Sequence, residues 1–404
     1  MRILATSDIH IGRIPSVPNA GADITGRRAW EDVVQCALDQ RVQAVLLAGD
    51  VVEHDSAWFE AYGPLKKGLA RLKERGIAVV AVAGNHDARV FPSLASDSDA
   101  VTILGLGGKW EALDLGPIRI LGWSFPSTAH KGNPMEEFQE EFLADGKPYI
   151  GLLHCDLDGP SGSHYAPVPS RALERTGAAA WVLGHIHRGG LKAGDRAFYC
   201  GSPLALDAGE EGEHGVWLMD LNDCGQITHR EMLPLSPWMF RTLSVDMEGV
   251  GNKEDAREQI RATLEGAALE AQGGPAETYY CSLRMQGACG LTGSLARHFQ
   301  EDLPSMEVPA GNITVRPTGR IVDETTPPLE VAEIAKGKGI RASLARILLQ
   351  AQDPGGTIDE VPDLFSRMKP LLPPGSDDPE IARHTLATAA RRLMMNIEKQ
   401  RGEA

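Results

Sequence analysis

Five apolar segments of this chain each end in side chains that can bind a metal ion. The third segment, residues 77–83, is bounded by glycines and leads into Gly-Asn-His-Asp at residues 84–87. A short apolar run with such bounds is typical of a buried strand. Open α/β sheets keep their ligands at the carboxyl ends of their strands. We therefore expect Asn85, His86 and Asp87 to lie at the functional edge of a sheet.

The other four segments are built in the same way. Residues 2–12 predict a strand that ends in Asp-x-His-x-Gly, and residues 44–50 predict one that ends in Gly-Asp. Residues 149–154 end in a histidine, and residues 179–187 end in Gly-His-x-His. Because alternate residues at a strand end point the same way, Asp8 and His10 can reach one cation. The candidates collected in this way are Asp8, His10, Asp50, Asn85, His86, His154, His185 and His187.

The chemistry of this set points to divalent cations. Carboxylate, imidazole and amide groups together suit Mn²⁺, Fe²⁺ or Zn²⁺, and the absence of thiolates argues against structural zinc or an iron–sulfur cluster. The set is too large for one tetrahedral ion but suits two ions that share a carboxylate. Two ions about 3.5–4 Å apart clamp the attacking and leaving oxygens of a phosphoryl displacement. Each motif alone is more often an ordinary turn or polar residue, but the five in this order predict a dimetal site.

Composition limits the class of protein. The chain is 42% hydrophobic and 24% charged, as in ordinary soluble globular proteins. No apolar run is long enough for a membrane span, and the amino terminus reaches Asp8 too soon for a signal peptide. Six cysteines without C-x-x-C spacing fit reduced thiols in the cytoplasm. The net charge of −15 argues against a protein that coats nucleic acid, although bound cations would still permit a nucleic-acid enzyme.

The order of predicted elements divides the chain into three parts. Alternating strands and helices over residues 1–232 are typical of an α/β fold. Pro234 and Pro237 mark a linker, and residues 238–320 predict a smaller domain of mixed β and α structure. Residues 329–404 predict a C-terminal helical region, with helices at 329–350 and 380–399.

The ordered motifs resemble those of the calcineurin-like metallophosphoesterases over about residues 1–232. Within that superfamily the chain is most similar to the DNA repair exonucleases of the SbcD and YhaO type. This closer resemblance rests on Ser-Asp-Ile-His-Ile-Gly-Arg at 7–13, Gly-His-Ile-His-Arg at 184–188, Tyr-Cys-Gly-Ser-Pro at 199–203 and Glu-Gly-Glu-His-Gly at 211–215. It implies a calcineurin-like α/β sandwich with a smaller α+β cap domain, DNA-binding in that family, and C-terminal helices.

The resemblance also implies a role for each candidate. His86 would lie over the scissile phosphate and help the leaving oxygen depart. The two ions would be Mn²⁺, with Fe²⁺ or Zn²⁺ as alternatives. The implied ligands are Asp8, His10 and His187 for one ion, Asn85, His154 and His185 for the other, and Asp50 as the bridge between them.

One position departs from the family pattern. Glu53 stands three places after the bridging aspartate, where such nucleases often have Asp or His. The neighbouring His54 is either a support for the site or, as we expect, a solvated loop residue.

Three functions remain open. The leading hypothesis is a Mn²⁺-dependent DNA exonuclease or endonuclease in DNA repair. A phosphodiesterase or phosphatase for a small nucleotide or a phosphoprotein would use the same metal core, and the acidic charge favours small substrates. A regulatory subunit without catalysis has no need of the complete ligand set.

The resemblance further implies partners, namely DNA and a coiled-coil ATPase of the SbcC type gripped by the C-terminal region. A homodimer is left open by the sequence. Two apolar stripes in the C-terminal region would either dock such a partner or pack on the body of the same chain. They consist of Leu344, Ile347, Leu348 and Ala351, and of Leu386, Ala390, Leu393, Met394 and Ile397.

Overall fold

The computed structural model describes residues 1–16, 25–96, 98–160, 162–190, 196–328, 330–351, 386–390, 393, 394 and 397. The chain divides into two compact units. The first unit comprises Met1–Leu243, Leu264–Ser282 and Asp302–Gly319, and the second comprises Ser244–Thr263, Leu283–Glu301 and Arg320–Ala404. The predicted domain boundaries at 1–232, 238–320 and 329–404 remain a prediction.

Thirteen strands and four α-helices make up residues 1–234 as far as the structure describes them. The helices are α1 (Gly26–Asp39), α2 (Trp58–Glu74), α3 (Val90–Ala95) and α4 (Ser170–Glu174). The strands are β1 (Arg2–Thr6), β2 (Ala44–Ala48), β3 (Ala78–Val82), β4 (Thr102–Ile103), β5 (Trp110–Leu115), β6 (Ile118–Trp123), β7 (Tyr149–His154), β8 (Asp156–Leu157), β9 (Pro167–Val168), β10 (Ala180–Gly184), β11 (Ala197–Tyr199), β12 (Gly215–Leu221) and β13 (Ile227–Pro234).

Two large sheets form the body of the first unit. One has the strand order β13-β12-β1-β2-β3-β4, and the other has the order β11-β10-β7-β6-β5. Strands β1 to β4 are mutually parallel, as are β6, β7, β10 and β11, whereas β5, β12 and β13 run antiparallel to their neighbours. The predicted α/β class is confirmed.

The central parallel strands β1, β2, β3, β7 and β10 are buried on both faces because apolar residues pack against each side of them. In β2, Leu46 belongs to the apolar core that contains residues of both sheets, such as Ile120 and Val182. The next residue, Leu47, points the other way into the core shared with α1 and α2. Parallel strands covered on both faces read as continuous apolar runs, which explains the sequence Ala-Val-Leu-Leu-Ala of this strand.

Residues 238–326 add a four-stranded sheet in the order β14-β15-β17-β16. Part of this sheet belongs to the first unit. There Trp238, Phe240 and Tyr280 are buried in the same apolar core as residues of α1 and α2. The elements are β14 (Trp238–Asp246), α5 (Lys253–Ala271), β15 (Thr278–Ala288), α6 (Leu295–Phe299), β16 (Val308–Ala310) and β17 (Ile313–Thr326).

The C-terminal region contains two short helices where the sequence predicts one. The expected helix over 329–350 is instead α7 (Val331–Ala335) and α8 (Ile340–Ala351). The break coincides with Gly337 and Gly339, and Gly339 has a φ of 92°, outside the helical range. Of the predicted helix 380–399, residues 386–390, 393, 394 and 397 are helical and the remainder lies outside the described residues.

The two predicted apolar stripes pack together within the second unit. Leu348 is buried in one cluster with Ala390 and Met394. Leu349 and Leu393 remain 39% and 53% exposed. Packing within the chain therefore accounts for part of each stripe. In the part of the chain that the structure describes, no helix combines the length and the apolarity needed to cross a bilayer.

Candidate metal centre

The predicted site residues follow the carboxyl ends of strands in both sheets. Asp8, Asp50 and Asn85 come after β1, β2 and β3, which are neighbours in the first sheet. In the second sheet His154 is the last residue of β7, and His185 directly follows β10, where Gly184 pairs with His154. Parallel strands end at one edge of a sheet, so these segments deliver their side chains to one place.

The ligand atoms of five predicted ligands are close enough to share cations. Those of Asp8, His10 and His187 all lie within 4.8 Å of one another, and so do those of Asp8, Asp50 and His154. Asp8 thus belongs to both groups, and the bridging role assigned to Asp50 stays a prediction. A third group consists of His10, Glu53 and His86.

The rings of His10 and His187 face each other at one side of the site. Nδ1 of His187 lies 2.6 Å from Oε1 of Glu210, and Nδ1 of His10 lies 2.6 Å from Oε2 of Glu53. A carboxylate only accepts, so a neutral His187 ring carries its hydrogen on Nδ1 and leaves Nε2 unprotonated. The two Nε2 atoms are 3.1 Å apart. A cation at this place could be coordinated by both Nε2 atoms.

A neutral His154 would direct the lone pair of its Nε2 at oxygen atoms. Its Nδ1 lies 2.9 Å from the carbonyl oxygen of Ala48 and must donate to it. Its Nε2 then faces Oδ1 of Asn85 at 3.0 Å and Oδ2 of Asp50 at 3.3 Å. Burial acts to lower the pKa of His154, but the Asp50 carboxylate prevails and raises it to about 9. Positive charge is therefore favoured here, and a divalent cation can supply it.

Asp50 is at the centre of the contacts on this side. Its Oδ1 accepts the backbone N–H of His86 at 2.9 Å, while its Oδ2 faces His154. Burial acts to raise the pKa of Asp50, but His154, His10 and His86 together hold the pKa below its usual value. The group remains an anion in a buried place, as a metal ligand must.

His185 is tied to the site through its backbone. Its N–H donates to Oδ1 and Oδ2 of Asp8 at 3.1 and 3.2 Å. Its ring centroid lies 5.4 Å from that of His154 and 4.7 Å from that of Tyr165. Burial and the positive charge of His154 lower the pKa of His185 to about 4, so its ring is neutral and keeps a lone pair for a cation.

Four of the predicted ligands have a positive φ angle, which residues other than glycine rarely adopt. The φ angles of Asp8, His10 and Asp50 are 52°, 51° and 50°, and that of His185 is 105°. Such angles are uncommon outside glycine and concentrate at functional sites, where the surrounding structure maintains them.

At two motif positions a neighbouring oxygen atom lies so close to the backbone that only glycine fits. A Cβ at Gly84 would lie 2.2 Å from Oδ1 of Asp50, and one at Gly184 would lie 2.1 Å from the carbonyl oxygen of Ala48. Gly-Asn-His-Asp and Gly-His-x-His therefore begin with glycine so that neighbouring strand ends can meet.

His86 lies beside the candidate ligands. Its Nδ1 is 2.8 Å from the backbone carbonyl oxygen of Glu53, so Nδ1 donates and Nε2 is left for other partners. Its ring is edge-on to that of His10, with centroids 5.0 Å apart. The exposed His54 contacts Ser56 by its Nδ1 at 2.7 Å, as expected for a solvated loop residue.

Three carboxylates around the site were assigned no role from the sequence. Asp87 is fully buried and accepts the N–H groups of Gly84, Val51 and Val52 at 2.7, 2.7 and 3.2 Å, which joins two of the ligand loops. Burial and the nearby Asp50 raise the pKa of Asp87 to about 7. The other two are Glu53 and Glu210. The sequence marks Asp87 as a member of the Gly-Asn-His-Asp motif, and it marks Glu53 as a departure from the family pattern. Either feature could have indicated that the residue lies at the site.

Comparison with known proteins identifies the domain. Residues 1–189 match the sequence profile of the calcineurin-like phosphoesterases. This part of the chain is a calcineurin-like phosphoesterase domain. All eight candidates from the sequence, from Asp8 to His187, lie within the matched residues, whereas Glu210 lies beyond them.

Relatives of the chain include proteins of the types that its motifs resemble. It is 24% identical over 268 residues to the metallophosphoesterase YhaO of Bacillus subtilis, covering 60% of each chain. It is 26% identical over 253 residues to the SbcD component of the nuclease SbcCD of Escherichia coli, covering 53% of this chain and 63% of that one. It is 25% identical over 290 residues to the DNA double-strand break repair protein Mre11 of Methanopyrus kandleri, covering 65% and 62%. Each alignment spans less than two thirds of the relative's length.

Proposed function

We propose that this chain is a dimetal-dependent phosphodiesterase that hydrolyses DNA, acting as an exonuclease in DNA repair. The observation that carries the proposal is the 3.1 Å approach of the Nε2 atoms of His10 and His187, which a shared cation would stabilise. Asp8, His10 and His187 would hold one ion, and Asn85, His154 and His185 the other, with Asp50 between them. When bound, the two cations would offset the charge of the phosphate and lower the pKa of the attacking water.

The protein's own groups would orient the substrate and manage the proton. Nε2 of His86 is left for the leaving oxygen because Nδ1 is held by Glu53, so this ring would donate a hydrogen bond or proton there once protonated. Asp87 would keep the loops of Asp50 and His86 in register through its three N–H contacts. The ions in question are Mn²⁺ first, with Fe²⁺ and Zn²⁺ as alternatives for the same donor set.

The choice of DNA over smaller substrates rests on the relatives and on the appended sheet. Two of the three relatives described above are named for DNA repair or as a nuclease component. The net charge of −15 favours the alternative, a phosphodiesterase or phosphatase for a small nucleotide or phosphoprotein. A non-catalytic regulatory role is the weakest of the three, because ligand atoms of Asp8, His10, Asp50, His154 and His187 lie close together and His86 lies beside His10.

The substrate class can be tested directly. Metal-free protein reconstituted with Mn²⁺ is incubated with labelled single- and double-stranded DNA and, in parallel, with a small chromogenic phosphodiester. We expect two bound ions per chain by metal analysis, DNA cleavage that chelation abolishes, and its recovery with Mn²⁺. One bound ion or none would contradict the dimetal centre. Turnover of the small diester far above any DNA cleavage would favour the alternative enzyme.

A DNA-binding cap in residues 238–320 predicts specific phosphate contacts. Arg261 and Arg297 are both exposed in the second unit. If each contacts one phosphate, changing either to glutamine should reduce the slope of log K against log salt by about one unit. The same change at the exposed Arg75, at the end of α2, serves as the control for lost charge. An unchanged slope for both cap variants, measured by DNA titration at several salt concentrations, would remove these arginines from the interface.

The same relatives suggest the partner. The SbcCD relative is by name one part of a larger nuclease. We propose that the C-terminal region, residues 329–404, binds an ATPase of the SbcC type. Leu349 and Leu393 are exposed there beside the buried cluster and offer apolar contacts.

A further inference from the structure

Glu210 contacts the candidate metal centre from outside the residues that match the family. Its Oε1 accepts from Nδ1 of His187 at 2.6 Å, and its Oε2 accepts the backbone N–H of Leu206 at 2.6 Å. The residue is 9% exposed. Both carboxylate oxygens are thus engaged, and neither can turn toward solvent without losing a buried hydrogen bond.

The backbone of Glu210 is fixed as firmly as its side chain. Its N–H donates to the carbonyl oxygen of Asp207 at 3.1 Å, and its own carbonyl oxygen lies 3.1 Å from Nε2 of His214. His214 is 2% exposed, so this contact is made away from water. Nδ1 of the same ring lies 3.0 Å from both the hydroxyl and the carbonyl oxygen of Ser202, so His214 connects Glu210 with Ser202.

The contacts close into a ring. The N–H of Ser202 donates to the carbonyl oxygen of His187 at 2.8 Å. His187 is therefore held at its backbone by Ser202 and at its imidazole by Glu210, and His214 joins these two supports. This closed set of hydrogen bonds holds the imidazole of His187 in one orientation, which a flexible loop end would not do.

We propose that Glu210 is a positioning residue that aims Nε2 of His187 at the cation shared with Asp8 and His10. The inference rests on the proposed dimetal function. Acceptance by the carboxylate fixes the hydrogen of His187 on Nδ1, sets the plane of the ring and makes Nε2 a better donor to a cation. Carboxylate partners of this kind are worth about 10–100-fold in metal affinity or activity.

Changing Glu210 to glutamine is an informative test because it removes charge at nearly constant shape. A carboxylate can accept from both His187 and Leu206, whereas an amide has one oxygen and turns an N–H toward the other donor. Aspartate keeps the charge and both acceptors but is shorter by one methylene. The neighbouring Glu213 is exposed, so Glu213→Gln is the matched control.

The experiment measures Mn²⁺ stoichiometry and affinity of the full chain in competition with a chelator, together with the thermal unfolding of the metal-free protein. We expect Glu210→Gln to weaken one of the two ions by about 10–100-fold while the second is retained. Glu210→Asp should recover part of that affinity, and Glu213→Gln should match the unmodified protein. Metal-free Glu210→Gln should still unfold cooperatively, at a moderately lower temperature, because one buried hydrogen bond is lost.

The unmodified chain and His187→Ala together separate the failure of this inference from the failure of the proposed function. If His187→Ala loses an ion and Glu210→Gln loses none, Glu210 does not position the ligand and only this inference is overturned. If the unmodified chain binds one ion or none, the proposed dimetal function fails, and if His187→Ala binds both ions at full affinity, His187 is not a ligand and this inference is overturned. If Glu210→Gln weakens both ions equally and unfolds at a much lower temperature, or Asp restores nothing, the role of Glu210 is purely structural.

Discussion

Replacing Asp50 with asparagine is expected to abolish metal binding and hydrolysis together. Asp50 is 2% exposed, and the change removes a buried negative charge placed between two proposed cations. An asparagine oxygen can still accept the N–H of His86, so the loop should keep its position and lose mainly charge. Because even indirect partners of a ligand cost about 10–100-fold, we expect loss of a direct, shared ligand to exceed about 10²-fold.

Metal analysis of dialysed Asp50→Asn, together with the rate of diester hydrolysis, checks this expectation. Asp55→Asn makes the same chemical change at an exposed residue five positions along the chain and should leave both quantities intact. Circular dichroism of the metal-free proteins establishes that both variants fold. Two bound ions and unreduced turnover in Asp50→Asn would show that the carboxylate is not a ligand, and Asp8, which belongs to both ligand groups, would then be the better bridge.

Replacing His86 with alanine is expected to separate metal binding from catalysis. Its contacts are with the backbone of Glu53 and, through its own N–H, with Asp50, which leaves Nε2 for the substrate. Both ions should therefore remain bound. Turnover should fall by roughly 10²–10⁴-fold if the ring transfers a proton to the leaving oxygen.

The control for this change is His54→Ala, since His54 is exposed and contacts Ser56. Its metal content and turnover should equal those of the unmodified chain. A specific alternative exists, because ligand atoms of His10, Glu53 and His86 also lie within 4.8 Å of one another. Loss of an ion in His86→Ala would place His86 among the ligands and contradict its assignment as the acid.

Much of the fold could be predicted from the sequence because its signals are local. The apolar run before each motif gives a strand that is buried on both faces, and β7 has the predicted bounds, Tyr149–His154. Each ligand loop comes directly after such a strand, so the edge of the sheet on which the candidates meet followed from the chain order. The C-terminal helix was predicted too long, because tolerance of two glycines depends on the packing around them.

The tertiary structure decided how the candidate ligands are oriented. His10 and His187 are 177 positions apart, and only the folded chain brings their Nε2 atoms together. The left-handed backbone at Asp8, His10 and Asp50 is a conformation that no hydrophobic pattern specifies. Glu210 lies 23 positions from His187, with no strand-end motif to mark it, and Glu53 reads only as a departure from a family pattern. Periodicity reports which face of an element is buried, but a hydrogen bond between distant loops depends on the whole course of the chain between them.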